Sequence, residues 1–261
     1  MMDMSFQMFS GRNYPLDQVL KTVADAGYKY VEGYGGLDYA STDGGLGGLY
    51  GDLPGLKAKL DANGLTMPTA HVGLDLLEQP DRALAINEAL GTTVFMCPWL
   101  SPDQRPTDVA GWQAFGERLA NISAPFTKAG ITFGYHNHDF EFAMLPDGRY
   151  PMDVLLEAAP DIYTEADIAW IYRGKADAFA WLEKFGKRIV AVHVKDIAPA
   201  GQNLDEDGWA DVGHGTLPWK DLLNHVKAKT AARYFVAEHD NPNDLTRFAT
   251  RSIATVNSFG V

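Results

Sequence analysis

The chain has a single cysteine, Cys97, in 261 residues, so it cannot close an internal disulfide and carries no sign of an oxidising compartment. It has no apolar run near the ~18 residues that a membrane-spanning helix needs. Positive charge is scarce: 22 Lys and Arg stand against 34 Asp and Glu, a formal net charge of −12. That balance argues against nucleic acid or an anionic membrane as the main partner. It leaves room for an anionic small substrate, because a metal or a local lysine can reverse the field inside a pocket. The opening segment MMDMSFQMFSGRNYP has an early acidic residue and no extended apolar stretch. It reads as neither a signal nor a transit peptide, and a cytoplasmic location is expected. No Ser/Gly linker or break in composition divides the chain, so one domain over residues 1–261 is expected.

What the chain does have is core-forming material, 46% hydrophobic and 11% aromatic, arranged as short β-rich runs alternating with helical patterns. Strands are predicted at Ser5–Phe9, Tyr28–Tyr34, Thr66–His71, Thr93–Cys97, Ile131–His138, Ile162–Ile168, Ile189–Lys195 and Tyr234–Glu238. Helices are predicted at Leu16–Asp25, Leu53–Asn63, Asp81–Leu90, Asp108–Ala129, Pro151–Ala159, Ala176–Phe185, Pro218–Lys229 and Leu245–Val256. Gly27, Gly64, Gly91, Gly130 and Gly186 fall between a helical pattern and the next strand, where a left-handed cap suits glycine. Pro15, Pro54 and Pro218 sit at or near helix starts, where the missing N–H costs little. Eight strand–helix units point to a closed parallel (β/α)₈ barrel, a TIM barrel of the α/β class. The alternative, a doubly wound sheet, lacks a G-x-G-x-x-G after the first strand. The glycine run Gly44–Gly48 is read as a rim loop and not as a phosphate cradle.

Alternation along a strand assigns faces. In IVAVHVKD, Ile189, Ala191, His193 and Lys195 share one face, while Val190, Val192 and Val194 share the other, suited to packing on helices. Thr132, Gly134, His136 and His138 share a face in the fifth strand, as do Tyr234, Val236 and Glu238 in the eighth. Polar residues thus collect at the carboxyl ends of strands, where barrel active sites lie. Asp167, His193 and Glu238 can converge there, and carboxylate oxygen with imidazole nitrogen suits one divalent metal ion, Mn²⁺, Mg²⁺, Co²⁺ or Zn²⁺. The segment HNHDFE offers a fourth ligand. Glu141 is favoured, with His138 turned towards substrate, while His136 and His138 compete for the role. Lys195 could bind a substrate oxygen or stabilise an enediolate, or form a salt bridge with Asp196, Glu165 or Glu238. His71 and Glu32 can line the pocket. Trp170 and Trp99 follow strand ends and suit the apolar face of a sugar ring. His214, in DVGHG, belongs to the polar stretch Ala198–Thr216, read as a lid with Trp209 as its cover or else as a solvated loop.

In this order the segments YHNHDFEF (Tyr135–Phe142), EADIAW with Asp167, VHVKD (Val192–Asp196), AEHD (Ala237–Asp240) and DVGHG resemble the sugar phosphate isomerase/epimerase family with the xylose isomerase-like barrel, over nearly the whole chain. The resemblance implies a metal held by Glu141, Asp167, His193 and Glu238, with Glu238 or His138 moving a proton and Lys195 supporting the enediolate. Substrate contacts are then expected from His71, His136, Lys195, Trp170 and His214. The departure is at the fifth strand, where epimerases of this family carry a glutamate and this chain carries His136 and His138. That form looks closer to relatives acting on inososes or 3-keto sugars.

The implied activity is a metal-dependent sugar isomerase or epimerase of carbohydrate metabolism, working on a small sugar or polyol by proton abstraction next to a carbonyl. The alternative is a carbon–oxygen lyase of the inosose dehydratase or 3-keto glycoside eliminase type. A metal-dependent DNA repair endonuclease on a related barrel would need a basic groove and more histidines than the seven present. A non-catalytic sugar-binding barrel would not need intact ligand positions. Pairing into a homo-oligomer through exposed helices suits barrels of this kind, although no interface stripe stands out.

Overall fold

Strand and helix alternate through the chain because each strand buries both faces and each helix buries one. The computed structural model describes residues 3–35 and 51–260; the glycine run Gly44–Gly48 lies outside them. The strands are β1 (Met4–Gln7), β2 (Tyr30–Gly35), β3 (Thr66–Val72), β4 (Val94–Cys97), β5 (Thr132–His136), β6 (Tyr163–Asp167), β7 (Ile189–Val194), β8 (Asp196–Ile197), β9 (Trp209–Ala210) and β10 (Tyr234–Ala237). The helices are α1 (Leu16–Ala26), α2 (Leu53–Ala62), α3 (Leu74–Leu77), α4 (Pro80–Leu90), α5 (Val109–Lys128), α6 (Pro151–Ala158), α7 (Ile168–Arg173), α8 (Ala178–Phe185), α9 (Trp219–Lys229) and α10 (Leu245–Ser258).

Strands β1 to β7 and β10 close into a parallel barrel, β10 pairing with both β1 and β7. The fold is the single-domain TIM barrel that the alternation predicts. Helices pack outside it on an apolar layer that includes Val31, Phe95, Phe133, Tyr135, Val192 and Val194. Gly27, Gly64, Gly91 and Gly130 take positive φ of 99°, 66°, 73° and 78°, the left-handed caps expected of them. Gly186 does not: its φ is −49°. It is needed for a different reason, since a Cβ there would lie 2.0 Å from the Lys229 carbonyl oxygen.

The ladder fixes the inward layer residue by residue. Gln7 pairs with Glu32, Glu32 with Thr69, Tyr34 with His71 and His71 with Met96. His136 pairs with Glu165, Asp167 with His193, and His193 with Val236. Side chains alternate, so these positions face the barrel axis together. In most barrels that space is filled by Val, Ile and Leu. Here Gln7, Glu32, Thr69, His71, His136, Glu165, Asp167 and His193 are all buried. Burying that many polar groups is costly unless they are paired or bind something.

Two features are not in the sequence pattern. Strand β5 ends at His136, and a 3₁₀ turn over Phe140–Phe142 follows, so His138 and Glu141 are not strand residues. The stretch read as a lid is instead anchored. Strands β8 and β9 form an antiparallel pair, Asp196 with Ala210 and Ile197 with Trp209. The Asp196 carboxylate accepts from the backbone N–H groups of Ile197, Gly213, Gly215 and Leu217 at 2.8, 2.8, 3.1 and 3.1 Å. A loop tied at Gly213 and Gly215, and at Ile197 and Leu217 on its two flanks, is part of the scaffold.

Candidate active site

At the carboxyl end of the barrel lies a cavity of about 340 Å³, within the range of small-molecule sites. Its polar floor is His71, His136, His138, Glu238 and Asp240, and its walls include Phe9, Tyr34, Pro98 and Trp99, with Arg12 beside them. Trp99 lines the cavity and is 40% exposed.

At and just below the floor, three imidazoles converge. His71 Nε2, His136 Nδ1 and His193 Nε2 lie 2.6, 3.1 and 3.1 Å from one atom, Glu165 Oε2. The rings of His71 and His193 are stacked at 5.1 Å, and His136 lies 4.5 Å from each. His193 also reaches Glu32 Oε1 through Nε2 at 2.7 Å and Glu238 Oε2 through Nδ1 at 2.9 Å. Gln7 Nε2 donates to the same Glu32 oxygen at 2.7 Å. Above this layer, Lys195 Nζ is 2.5 Å from Asp240 Oδ1, 3.2 Å from Glu238 Oε2 and 3.9 Å from Asp167 Oδ2.

Burial and mutual charge then set the protonation states. Burial alone would neutralise every one of these groups. His71 and His193 are nevertheless held above the usual histidine range, because the Glu32 and Glu165 carboxylates outweigh burial for both, joined by Glu238 for His193. His136 falls to about 3, through burial and then repulsion from His193 and His71. His138 is also pushed well down, by burial, His136 and Lys195. Glu238 is held well below the carboxylate range despite burial, by Lys195 and His193. Asp167 rises to about 7 because burial exceeds the help from Lys195 and His193. The floor therefore presents an ionised Glu238 and a neutral His138 to the same cavity.

The donor set fits a metal ion. His71, His136, Glu165 and His193 each offer one atom, all within 4.8 Å of one another, as do Asp167, His193 and Glu238. Among the described residues, Glu32 Oε2, Glu165 Oε1 and Asp167 Oδ2 are buried oxygens with no hydrogen-bond partner. Unpaired buried carboxylate oxygens beside imidazoles are what a cation would satisfy.

Not every residue singled out in the sequence reaches this centre. Glu141, expected as a metal ligand, turns away: its oxygens accept from Tyr135 Oη at 2.6 Å and the His138 N–H at 2.7 Å. Tyr135 is on the outward face of β5, against Phe115 of α5, so Glu141 is buried behind the barrel wall. The 3₁₀ turn after His136 is the cause. His214, expected at the substrate, is exposed and bonded to Arg251 and Thr255 of α10 at 2.8 and 3.3 Å. Lys195, expected to touch substrate, is buried behind Glu238 and Asp240, its ammonium 4.9 and 4.1 Å from the Trp170 and Trp209 rings. Trp170 does not line the cavity. It backs His138 at 5.3 Å and Trp209 at 4.8 Å. Trp209, read as a cover, is buried and caps Lys195 from behind.

The sequence marks Glu165 only as an ion-pair partner and Asp240 only as the last residue of AEHD, and it does not mark Gln7 at all. Glu165 stands two residues before Asp167, so the same alternation that selects Asp167 places it on the inner face one layer down. Asp240 and Arg12 give no such signal: they belong to loops, and the Arg12 guanidinium bonds to the Asp240 carbonyl across the chain.

Solved structures of other proteins share this architecture. A sugar phosphate isomerase/epimerase from Parabacteroides distasonis superposes with a TM-score of 0.77 at 20% identity, covering 98% of this chain and 93% of that one. The probable 3-DHS dehydratase AsbF of Bacillus anthracis gives 0.76 at 14%, covering 98% and 99%. IolI, solved with a bound zinc atom, gives 0.70 at 15%, covering 100% and 97%. No curated protein matches. No helix among the described residues is long and apolar enough to cross a membrane. The xylose isomerase-like TIM barrel family matches residues 20–255, and the chain belongs to that family.

Proposed function

We propose that the chain is a divalent-metal-dependent isomerase or epimerase of carbohydrate metabolism, acting on a small keto sugar or polyol by moving a proton next to a carbonyl. The observation that carries this reading is the pair Glu238 and His138, one ionised and one neutral, on the floor of one cavity above a cluster of metal-ligating side chains. A cation on the His/Glu/Asp cluster would be held by His193 with either Glu165, His71 and His136 or Asp167 and Glu238, and would polarise the substrate carbonyl. The protein's own groups do the rest. Lys195 keeps Glu238 ionised, so Glu238 can accept the proton from carbon. His138, whose Nδ1 has no hydrogen-bond partner, can return or remove a proton from another direction. Trp99 and Tyr34 hold the ring and exclude water. The net charge of −12 makes nucleic acid a poor partner, and the cytoplasm is the expected site of action.

A second reading uses the same floor. If the group that takes the α-proton then passes that same proton to a β-hydroxyl, the C–O bond breaks, water leaves and the enzyme is a lyase; the dehydratase among the structural relatives supports keeping it. Incubation in D₂O with a panel of ketoses and inososes separates the two. Deuterium at the α-carbon without an absorbance rise supports the isomerase, and an enone or enol band supports the lyase. No exchange and no band after metal addition would sink both. Glu238→Gln should slow exchange by about 10²–10⁴-fold.

A further inference from the structure

Arg12 is the one lysine or arginine among the described residues that line the cavity. Its side chain is half-buried, with the guanidinium 4.1 Å from the Phe9 ring centroid. Phe9 is held in turn edge-on to Tyr34, 5.2 Å between centroids. Both hydrogen bonds of Arg12 leave from Nη1, one to the Phe9 carbonyl at 3.2 Å and one to the Asp240 carbonyl. Neither acceptor carries a net charge, and among the described residues no carboxylate forms an ion pair with Arg12. Asp240 gives Arg12 its carbonyl oxygen but gives its carboxylate to Lys195, at 2.5 Å. The edge formed by Nε and Nη2, the side of a guanidinium that grips two oxygens at once, has no acceptor among the described residues.

We infer that the substrate carries a carboxylate, and that Arg12 binds it on the Phe9–Tyr34 wall of the cavity. This rests on the proposed carbohydrate chemistry of the site and narrows its substrate to an acidic keto sugar. The stack on Phe9 and the two carbonyl bonds fix the guanidinium before any ligand arrives, so little side-chain freedom is lost on binding. Two parallel N–H donors match the two oxygens of a carboxylate. Charge favours a carboxylate over a phosphate. One guanidinium balances one carboxylate, whereas a phosphate monoester brings about −1.5 to −2 at neutral pH and three acceptor oxygens. That excess would face Glu238 and Asp240, which line the same cavity and share the single ammonium of Lys195. In a chain of net charge −12, an arginine without a carboxylate partner at a cavity wall is what draws an anion inwards. The competing role is a staple between the ends of β1 and β10, through the same two carbonyl bonds. A staple acts on every ligand alike, while recognition of an anion acts on the ratio between charged and neutral ligands.

The test is isothermal titration of the full chain, with Mn²⁺ supplied, using three ketoses that differ only at the terminal carbon: D-fructose, D-fructuronate and D-fructose 6-phosphate. The wild type should bind D-fructuronate about 10–100-fold tighter than D-fructose, as charge-assisted hydrogen bonds allow. Added NaCl should shrink that advantage. Arg12→Met should abolish it while changing D-fructose affinity only a few-fold. Arg12→Lys should keep part of it, because the charge stays and the fork is lost. Arg105→Met is the control: its guanidinium also stacks, 3.7 Å from the Phe140 ring centroid, but Arg105 is not among the cavity residues, and the preference should survive. Equal affinity for D-fructuronate and D-fructose, no binding of either included, overturns the proposal. So does tightest binding of the 6-phosphate. An equal loss for both sugars in Arg12→Met overturns it too, and leaves Arg12 as a staple. Proton chemistry is read separately, by deuterium exchange from D₂O into each sugar. Arg12-dependent binding without exchange supports the carboxylate site and counts against the isomerase reading alone; exchange with no preference for D-fructuronate does the reverse.

Discussion

Glu141 and Glu165 are both wholly buried glutamates within reach of the HNH segment, yet they occupy opposite situations. Glu141 lies behind the wall, with each oxygen receiving one neutral donor. Burial still raises it to about 7, those two bonds only partly offsetting the loss of water. Glu165 lies inside, with one oxygen crowded by three imidazoles and the other unpartnered. The first is a completed structural contact. The second is incomplete without something more, which is how binding chemistry differs from packing in a static structure.

The sharpest way to break this contrast is Glu165→Gln. Activity should fall by ~100-fold or more, as when a metal's supporting carboxylate is lost, and the melting temperature should fall too, because His71 and His193 lose a buried carboxylate that pairs with them. A stable, fully active variant would remove Glu165 from the chemistry. Asp196→Ala extends the structural side. Four backbone N–H groups lose one acceptor, and with partial rehydration the cost should be roughly 2–4 kcal/mol, read as a lowered midpoint in urea.

Glu141→Gln should cost about 1–3 kcal/mol, because an amide –NH₂ must face either the Tyr135 hydroxyl or the His138 N–H. That is a fall of about 2–4 °C per kcal/mol for a domain of this size, with activity changed only a few-fold. The sign of its pH dependence is also fixed. The folded carboxyl titrates near 7 and the unfolded one near 4.5, so between these values the unfolded chain binds fewer protons. The Glu141 contribution to stability therefore declines as pH rises from 4.5 to 7. Denaturation at both ends should show the Glu141→Gln deficit shrinking towards neutral pH. The smallest effect is expected outside both categories: Lys21→Ala, which removes an exposed ion pair with Asp25, should change stability by less than ~0.5 kcal/mol.

How far such distinctions can be read from sequence depends on which rule governs each residue. Period-two alternation and the strand–turn–helix rhythm are local, so all eight barrel strands, and the inward placement of His136, Asp167 and His193, are legible. The same rule applied once more singles out Glu165. Alternation misplaces Glu141 because it does not hold past the end of β5, where the chain leaves the sheet after His136 and a 3₁₀ turn resets the direction of every side chain. Lys195 makes the ion pair with Glu238 that was the alternative to a substrate contact. His214 fails differently: its partner Arg251 lies 37 residues away, and no local pattern encodes a contact across α10. The lid reading fails because nothing in a polar stretch announces that one aspartate will collect two of its backbone amides and the two that flank it.

The unbroken ladder around the barrel has an evolutionary consequence. A sheet with no edge has no free strand to slide, so inserting one residue in any barrel strand would either be absorbed as a local bulge or displace the inward layer around the whole ring. Changes of chemistry in such a frame come more cheaply by exchanging a side chain at a fixed inward address than by changing the length of a strand. The histidine at position 136 is one such exchangeable address, and variation among relatives should concentrate in the identity of these few inward residues and in the length of the rim loops above them.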